Sequence, residues 1–252
     1  MTGAAVRFTA SKRPDAWEGV HRARYQFARL YARSRRVLDV ACGSGYGLAI
    51  LESEGGTVIG VDLDRGALQD ARQSFSHPLV AADGSRLPFA DGAFDLVTSF
   101  ETLEHLEQRG RFLREIRRVL ASSGLLILST PNANVTAPIE GRPRNPHHLH
   151  EYRPDELRAE ILSVFDRVEM LGQTLHPRFR LSPFREDQQK LPKTLSVQAQ
   201  LLAWKILYRL PAAPRDAASQ LLWGHPLIAG AGDYRFLPDA VDSAPVLVAI
   251  CK

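Results

Sequence analysis

Asp39-Val40-Ala41-Cys42-Gly43-Ser44-Gly45-Tyr46-Gly47 is the stretch of this chain best suited to chemistry. It follows a short apolar run, Val37, Leu38 and Val40, and leads into a segment with helical spacing. Three glycines at alternate positions after a buried strand let a ligand approach backbone that a side chain would block. The pattern departs from the dinucleotide fingerprint G-x-G-x-x-G, because Leu48 stands where its last glycine belongs. Asp39, just ahead of the first glycine, would repel a pyrophosphate and attract an ammonium group. The expected ligand is therefore a nucleoside with a cationic tail. Asp62, nineteen residues after Gly43, ends a second apolar run and can accept both hydroxyls of a ribose. Asp83 ends a third and can accept from an exocyclic adenine amine. Singly, each acid could be a helix cap. All three fall at carboxyl ends of expected parallel strands, where such sheets bind their ligands.

The elements that must position these residues alternate in type. Strands are expected at 37–40, 57–64, within 77–89, at 94–100 and at 124–132. Helices are expected at 15–33, with Trp17, Val20, Tyr25, Ala28 and Tyr31 at roughly helical spacing, and at 47–54, 65–75 and 108–121. That alternation is the pattern of a doubly wound parallel α/β sheet. Residues 133–150 read as a loop with Pro138, Pro143 and Pro146, followed by a helix at 154–163 that opens on a proline. A sixth strand is expected at 165–173 and a seventh at 244–252. Between these two lies an insertion, about 174–243, with helices at 196–210 and 215–224. Residues 1–14 read as a flexible lead-in to one domain over 15–252.

VLDVACGSGYG, VIGVDLD, AADGSRLPF, FDLVTSFETLEHL and REIRRVLASSGLLILSTPN resemble, in order and spacing, the motifs of class I S-adenosylmethionine-dependent methyltransferases. The resemblance covers about residues 15–173 and the last strand. It implies a Rossmann-like, seven-stranded, mostly parallel sheet with an antiparallel last strand, and S-adenosyl-L-methionine as cofactor. Carried over by motif, Asp39, Ala41, Gly43 and Gly45 would line the methionine part. Asp62 would hold the ribose with Leu63 against the adenine, Asp83 and Gly84 would meet the adenine edge, and Phe100 would border the methyl group. EGVHRARYQFA at 18–28 resembles the leading helix of a bacterial subgroup tied to glycan and small-molecule pathways, in which Arg24 or Tyr25 would reach the cofactor's carboxylate.

Methyl transfer is an in-line displacement with a neutral leaving group, so alignment supplies much of the acceleration. An oxygen acceptor must also lose a proton, and a nearby base assists. His105 follows the fourth strand, and His147, His148 and His150 follow the fifth in NPHHLHEYRPDEL. His148 is the expected base, with His150 and His105 behind it; His105 could equally pack behind the cofactor loop. Glu101, Glu104, His105 and His148 also resemble the metal-ligand set of small-RNA 2′-O-methyltransferases, with Mg²⁺ or Mn²⁺ as the ion. E-x-x-E-H occurs in metal-independent relatives too, and the reading adopted assigns no metal. The acceptor expected is a small molecule, a hydroxyl of a sugar, glycan precursor or quinone-like ring. An NAD-dependent oxidoreductase and a non-catalytic cofactor-binding protein remain open alternatives.

Composition sets the outer bounds. The 252 residues are 44% hydrophobic and 24% charged, ordinary for a globular protein. Net charge is only +4, from 32 basic and 28 acidic residues, too little to argue for nucleic acid. Arg109, Arg111, Arg114, Arg117 and Arg118 read as a solvated helix face. Two cysteines, Cys42 and Cys251, make no disulfide framework, and a cytoplasmic setting is expected. No window approaches the roughly eighteen apolar residues of a membrane span, and MTGAAVRFTASKRPD does not show the charged-then-apolar order expected of a signal peptide. In the insertion, Leu201, Leu202, Trp204, Ile206, Leu207 and Leu210 are interspersed with Lys205 and Arg209. That stretch reads as a lid or dimer helix, or as a peripheral membrane contact. Monomer and homodimer are both open.

Overall fold

The computed structural model describes residues 16–136, 142–179 and 194–252. The expected flexible lead-in over 1–14, the side chain of Trp17 and Pro138 lie outside the described residues. Among those described, contacts divide the chain into two compact units. The first comprises residues 24–174 and 236–252, and the second residues 16–23 and 175–235.

The first unit follows the expected alternation. Helix α1 (Ala16–Arg29) leads into it, followed by β1 (Arg36–Val40), α2 (Leu48–Glu52), β2 (Thr57–Asp62) and α3 (Arg65–Ser74). Then come β3 (Leu79–Ala81), β4 (Phe94–Phe100), α4 (Arg109–Val119) and β5 (Leu120–Pro131). A short α5 (Ala133–Thr136) occupies ground expected to be loop, and α6 (Pro154–Leu162) and β6 (Val168–Leu175) follow. The chain ends in β8 (Val246–Cys251), after β7 (Tyr234–Leu237). Strand order is β3-β2-β1-β4-β5-β8-β6-β7, an eight-stranded sheet. Strands β1 to β5 pair in parallel, and β8 runs antiparallel between β5 and β6.

Seven strands were expected and eight are present among the described residues. The addition, β7, lies in the stretch assigned to the insertion. It has four residues alternating between half-buried and exposed, too short to read as a strand from sequence. Its Phe236 stacks on Phe27 of α1 with ring centroids 4.4 Å apart.

The side-chain alternation of β1 and β4 explains where the site residues point. Leu38 and Val40, with Val97, face a core built with Phe112, Leu113 and Ile116 of α4. Val37 and Leu96 face the opposite core, with Tyr25, Ala28, Leu48 and Leu68. With a period of two, Asp39 and Thr98 take the second face, under Tyr25. They are register partners across β1 and β4.

One arginine of α4 departs from the expected solvated face. Arg118 donates to the carbonyls of Leu87 (3.1 Å) and Phe89 (2.8 Å), to Asp91 (2.6 Å) and to Glu115 (2.7 Å). Glu115 in turn accepts from the Leu87 N–H at 2.7 Å. This pair ties the segment after Asp83 and Gly84 to α4. The segment's carbonyls come from about thirty residues upstream, so helix periodicity gave no sign of them.

In the second unit, α7 (Leu195–Tyr208) and α8 (Ala212–Trp223) match the two expected helices. Trp204, Leu207 and Leu227 form its small core. No helix among the described residues is long and apolar enough to cross a membrane.

Candidate active site

The glycine loop leaves β1 through three left-handed residues at alternate positions, Ala41 (φ 62°), Gly43 (φ 55°) and Gly45 (φ 77°). A Cβ at Gly43 would meet nothing within 4 Å, so this part of the loop is open to a ligand. Gly47 answers a different need. A Cβ there would lie 2.1 Å from the Tyr25 ring, so the glycine lets Tyr25 pass directly under the loop.

Tyr25 packs edge-on against Tyr46 and Phe100, with centroids 5.3 and 4.9 Å away. Its hydroxyl donates to Asp39 Oδ2 at 3.0 Å, and the Thr98 hydroxyl donates to Asp39 Oδ1 at 2.7 Å. Asp39 is fully buried, and burial pushes its carboxyl up to about 7 against the pull of those two donors. Its acidity is therefore poised where a neighbouring cation would tip it into the charged form.

Asp62 links loop and sheet. Its Oδ2 accepts from the Gly43 N–H at 2.8 Å and its Oδ1 from the Asp64 N–H at 2.8 Å. Each carboxylate oxygen can accept more than one hydrogen bond, so both remain able to take a ribose hydroxyl. Leu63 beside it is 73% exposed, an apolar plate beside the acid. Asp83 accepts from the Ser85 N–H at 2.8 Å, and that bond holds its carboxyl below the usual range. Gly84 serves packing: a Cβ there would meet the Phe112 ring at 2.7 Å. Phe100 is buried at the end of β4.

Arg24 is also buried, but its guanidinium is committed elsewhere. It donates to Gln173 at 3.1 Å and lies 3.4 Å from Glu101. Glu101 sits in a left-handed turn (φ 52°) and also accepts from the Ser129 hydroxyl at 2.8 Å. Of the two α1 residues expected to reach the cofactor, Tyr25 adjoins the glycine loop and Arg24 clasps the exit of β4.

The histidines gather beyond β4 and β5. The rings of His105 and His148 meet edge-on with centroids 4.9 Å apart. His105 Nδ1 donates to the His147 carbonyl at 2.8 Å, which places its proton there and leaves Nε2 as the basic nitrogen. That Nε2 has no hydrogen-bond partner among the described residues. Burial holds the His105 pKa below 6.5, so the ring is neutral at pH 7. His148 Nδ1 meets Glu151 at 2.6 Å, and Glu151 accepts from the Thr136 hydroxyl. His148 Nε2 lies 2.8 Å from Asn145 Nδ2. Asn145 Oδ1 accepts from the His147 N–H at 3.0 Å, so the amide end facing His148 is the donor and fills the Nε2 lone pair. His150 is more exposed, 3.9 Å from Glu156 and edge-on to Tyr152.

Glu104 is buried beside these rings. The Thr130 hydroxyl donates to its Oε2 at 3.0 Å, its Oε1 has no hydrogen-bond partner among the described residues, and burial raises its carboxyl well above the usual range. Single donor atoms of Glu104, His105 and His148 lie within 4.8 Å of one another. Of the four-residue metal set read from the sequence, these three come together and Glu101 is engaged elsewhere. Glu101 is turned to Arg24 and Ser129, and an ion at His148 Nε2 would have to displace the Asn145 amide.

Sequence reasoning missed Thr98, Asn145, Glu151 and the Arg24–Glu101 clasp. Asn145 and Glu151 stand inside NPHHLHEY, where distance from the histidines was readable but bonding was not. Thr98 could have been found by aligning β1 and β4 in parallel register.

A doubly wound sheet with a glycine loop, a ribose-ready acid and an acid at the next strand end defines a class of nucleoside-binding α/β proteins. Residues 38–128 match the family described as methyltransferase domain. Over 166 residues the chain is 36% identical to a probable S-adenosylmethionine-dependent methyltransferase of Mycobacterium tuberculosis, covering 65% of this chain and 61% of that protein. It is 40% identical over 99 residues to a demethylmenaquinone methyltransferase of Corynebacterium kroppenstedtii, covering 38% of this chain and 43% of the relative. A methyltransferase structure from Archaeoglobus fulgidus shares the fold, with TM-score 0.58 and 19% identity over 92% of this chain and 93% of the other. Residues 38–128 are thus similar to methyltransferase domains, the overall fold is shared with a methyltransferase structure, and the chain spans about three fifths of the length of the Mycobacterium tuberculosis relative.

Proposed function

We propose that this protein transfers the methyl group of S-adenosylmethionine to a hydroxyl of a small acceptor, a sugar, glycan precursor or quinone-like ring. The observation that carries the reading is the pairing of a nucleoside-ready loop with an imidazole, His105, whose Nε2 has no hydrogen-bond partner among the described residues. When bound, S-adenosylmethionine supplies a methyl group activated by its positive sulfur. Asp62 would hold the ribose hydroxyls and Leu63 would cover the adenine. Asp83, kept ionised, would accept from the adenine amine. Asp39, under Tyr25 and Thr98, would supply negative charge toward the methionine ammonium. Ala41, Gly43 and Gly45 would let the ligand approach backbone.

The hydrogen bonds favour His105 as base over His148, the first choice from sequence. The lone pair of His148 is occupied by Asn145, and its Nδ1 is tied to Glu151. His105 would take the acceptor's proton on Nε2, while the His147 carbonyl steadies the other nitrogen as the ring becomes charged. The fragment of similarity to a demethylmenaquinone methyltransferase supports a quinone-like acceptor among those named.

The test is methyl-donor turnover against a panel of sugars, glycan precursors and hydroquinones, with and without chelator. Turnover on a hydroxyl acceptor, unaffected by chelator, is the expected result. Binding of S-adenosylmethionine with no turnover on any acceptor would point to a regulator, and loss of turnover in chelator to a metal-assisted reaction.

A further inference from the structure

Helix α7 of the second unit is apolar on two opposite sides. Trp204 and Leu207 turn inward and pack with Leu201, Ala218, Trp223 and Leu227. Leu195, Leu202 and Ile206, spaced seven and four residues apart, fall on one stripe on the other side. They are 91%, 59% and 54% exposed. A helix with apolar residues all round is normally buried, so this outward stripe needs a partner.

The charge beside the stripe says which kind. Lys205 and Arg209, four residues apart, form an exposed basic row along it. From Thr194 to Arg215 the chain has three cations and no carboxylate. The next acid, Asp216, is paired with Arg215 at 2.9 and 3.1 Å. A second copy of the chain would set these basic rows together with no carboxylate between Thr194 and Arg215 to neutralise them. With 14 residues, α7 reaches about 21 Å, short of a roughly 30 Å hydrocarbon core. It suits the plane of a membrane interface.

We propose that the outward face of α7 docks on an anionic lipid surface. Leu195, Leu202 and Ile206 enter the boundary of headgroups and acyl chains, and Lys205 and Arg209 meet the lipid phosphates. The inference is independent of which acceptor is methylated.

The experiment is sedimentation of the full chain with vesicles of phosphatidylcholine alone or mixed with phosphatidylglycerol. Partitioning is expected into the mixed vesicles only, and it should weaken with added salt. Replacing Lys205 and Arg209 together by Gln should lower it roughly thirtyfold, from about 1 kcal/mol per basic group near such a surface. Leu202→Ser with Ile206→Ser should abolish it. These positions are exposed, and an unchanged melting temperature would confirm that the variants fold. Three results would each overturn the proposal: no partitioning into anionic vesicles, equal partitioning into neutral ones, or a wild-type dimer that Leu202→Glu turns into monomers.

Discussion

His105 and His148 are near neighbours with different capacities, and the difference lies in which nitrogen each has left. His105→Gln is expected to lower turnover about 10²–10⁴-fold while cofactor affinity, read by calorimetry, stays within about twofold. Turnover should also fall with acid, in a limb below the ordinary imidazole value of 6.5, because burial lowers the His105 pKa and only the neutral ring can take a proton. If His148→Gln gave the larger kinetic loss and His105→Gln little, the assignment would be reversed. Asp39 carries a second prediction. Its folded-state pKa is raised to about 7, so between about pH 4 and 7 the folded protein holds a proton that the unfolded chain has lost. Its contribution to stability therefore declines as pH rises across that window and is flat above it. A cation beside it favours the ionised form, so cofactor binding near pH 7 should release a proton and tighten as pH rises. Calorimetry in buffers of different ionisation heat reads that release, and Asp39→Asn should remove it.

The elements succeed in placing these groups because small details of packing agree with the loop. Gly47 is a glycine on account of Tyr25, and Gly47→Ala should cost about 1–3 kcal/mol by overpacking and weaken cofactor binding as Tyr25 is displaced. Urea unfolding and calorimetry check the two halves of that statement. Arg118→Ala should cost about 1–2 kcal/mol, discounted for the partial exposure of the guanidinium, and loosen the segment beside Asp83. Amide exchange at Leu87 should speed up in that variant; unchanged exchange would mean the arginine is dispensable. The strands that carry the site were legible because β1, β2 and β4 are apolar runs with Asp39, Asp62 or Phe100 at or next to their last residue. The edge strand β7 was not, since half-exposed YRFL carries no burial signal. The role of Arg118 was hidden for a related reason: two of its partners, the Leu87 and Phe89 carbonyls, are backbone groups, which no side-chain pattern reveals.

At the scale of the whole molecule, residues 38–128, which match a methyltransferase domain, hold the glycine loop and the three acids, and they are what sequence motifs read best. The order of acids along the chain survives folding because parallel strands all deliver their carboxyl ends to one edge. The histidine cluster was legible only as a gathering of residue types, because proton position depends on contacts such as His147 O and Asn145 Nδ2. The acceptor is the least legible feature, since the second unit is built from generic apolar helices and the chain covers only 61% of the Mycobacterium tuberculosis relative. The measurement that bears most directly on the account is calorimetric titration of the purified chain with S-adenosylmethionine, its demethylated product S-adenosylhomocysteine, and NAD. Saturable binding of the first two and none of NAD is expected, with Asp62→Ala losing both. Binding of NAD, with the sulfonium compound and its product ignored, would contradict the account at its root.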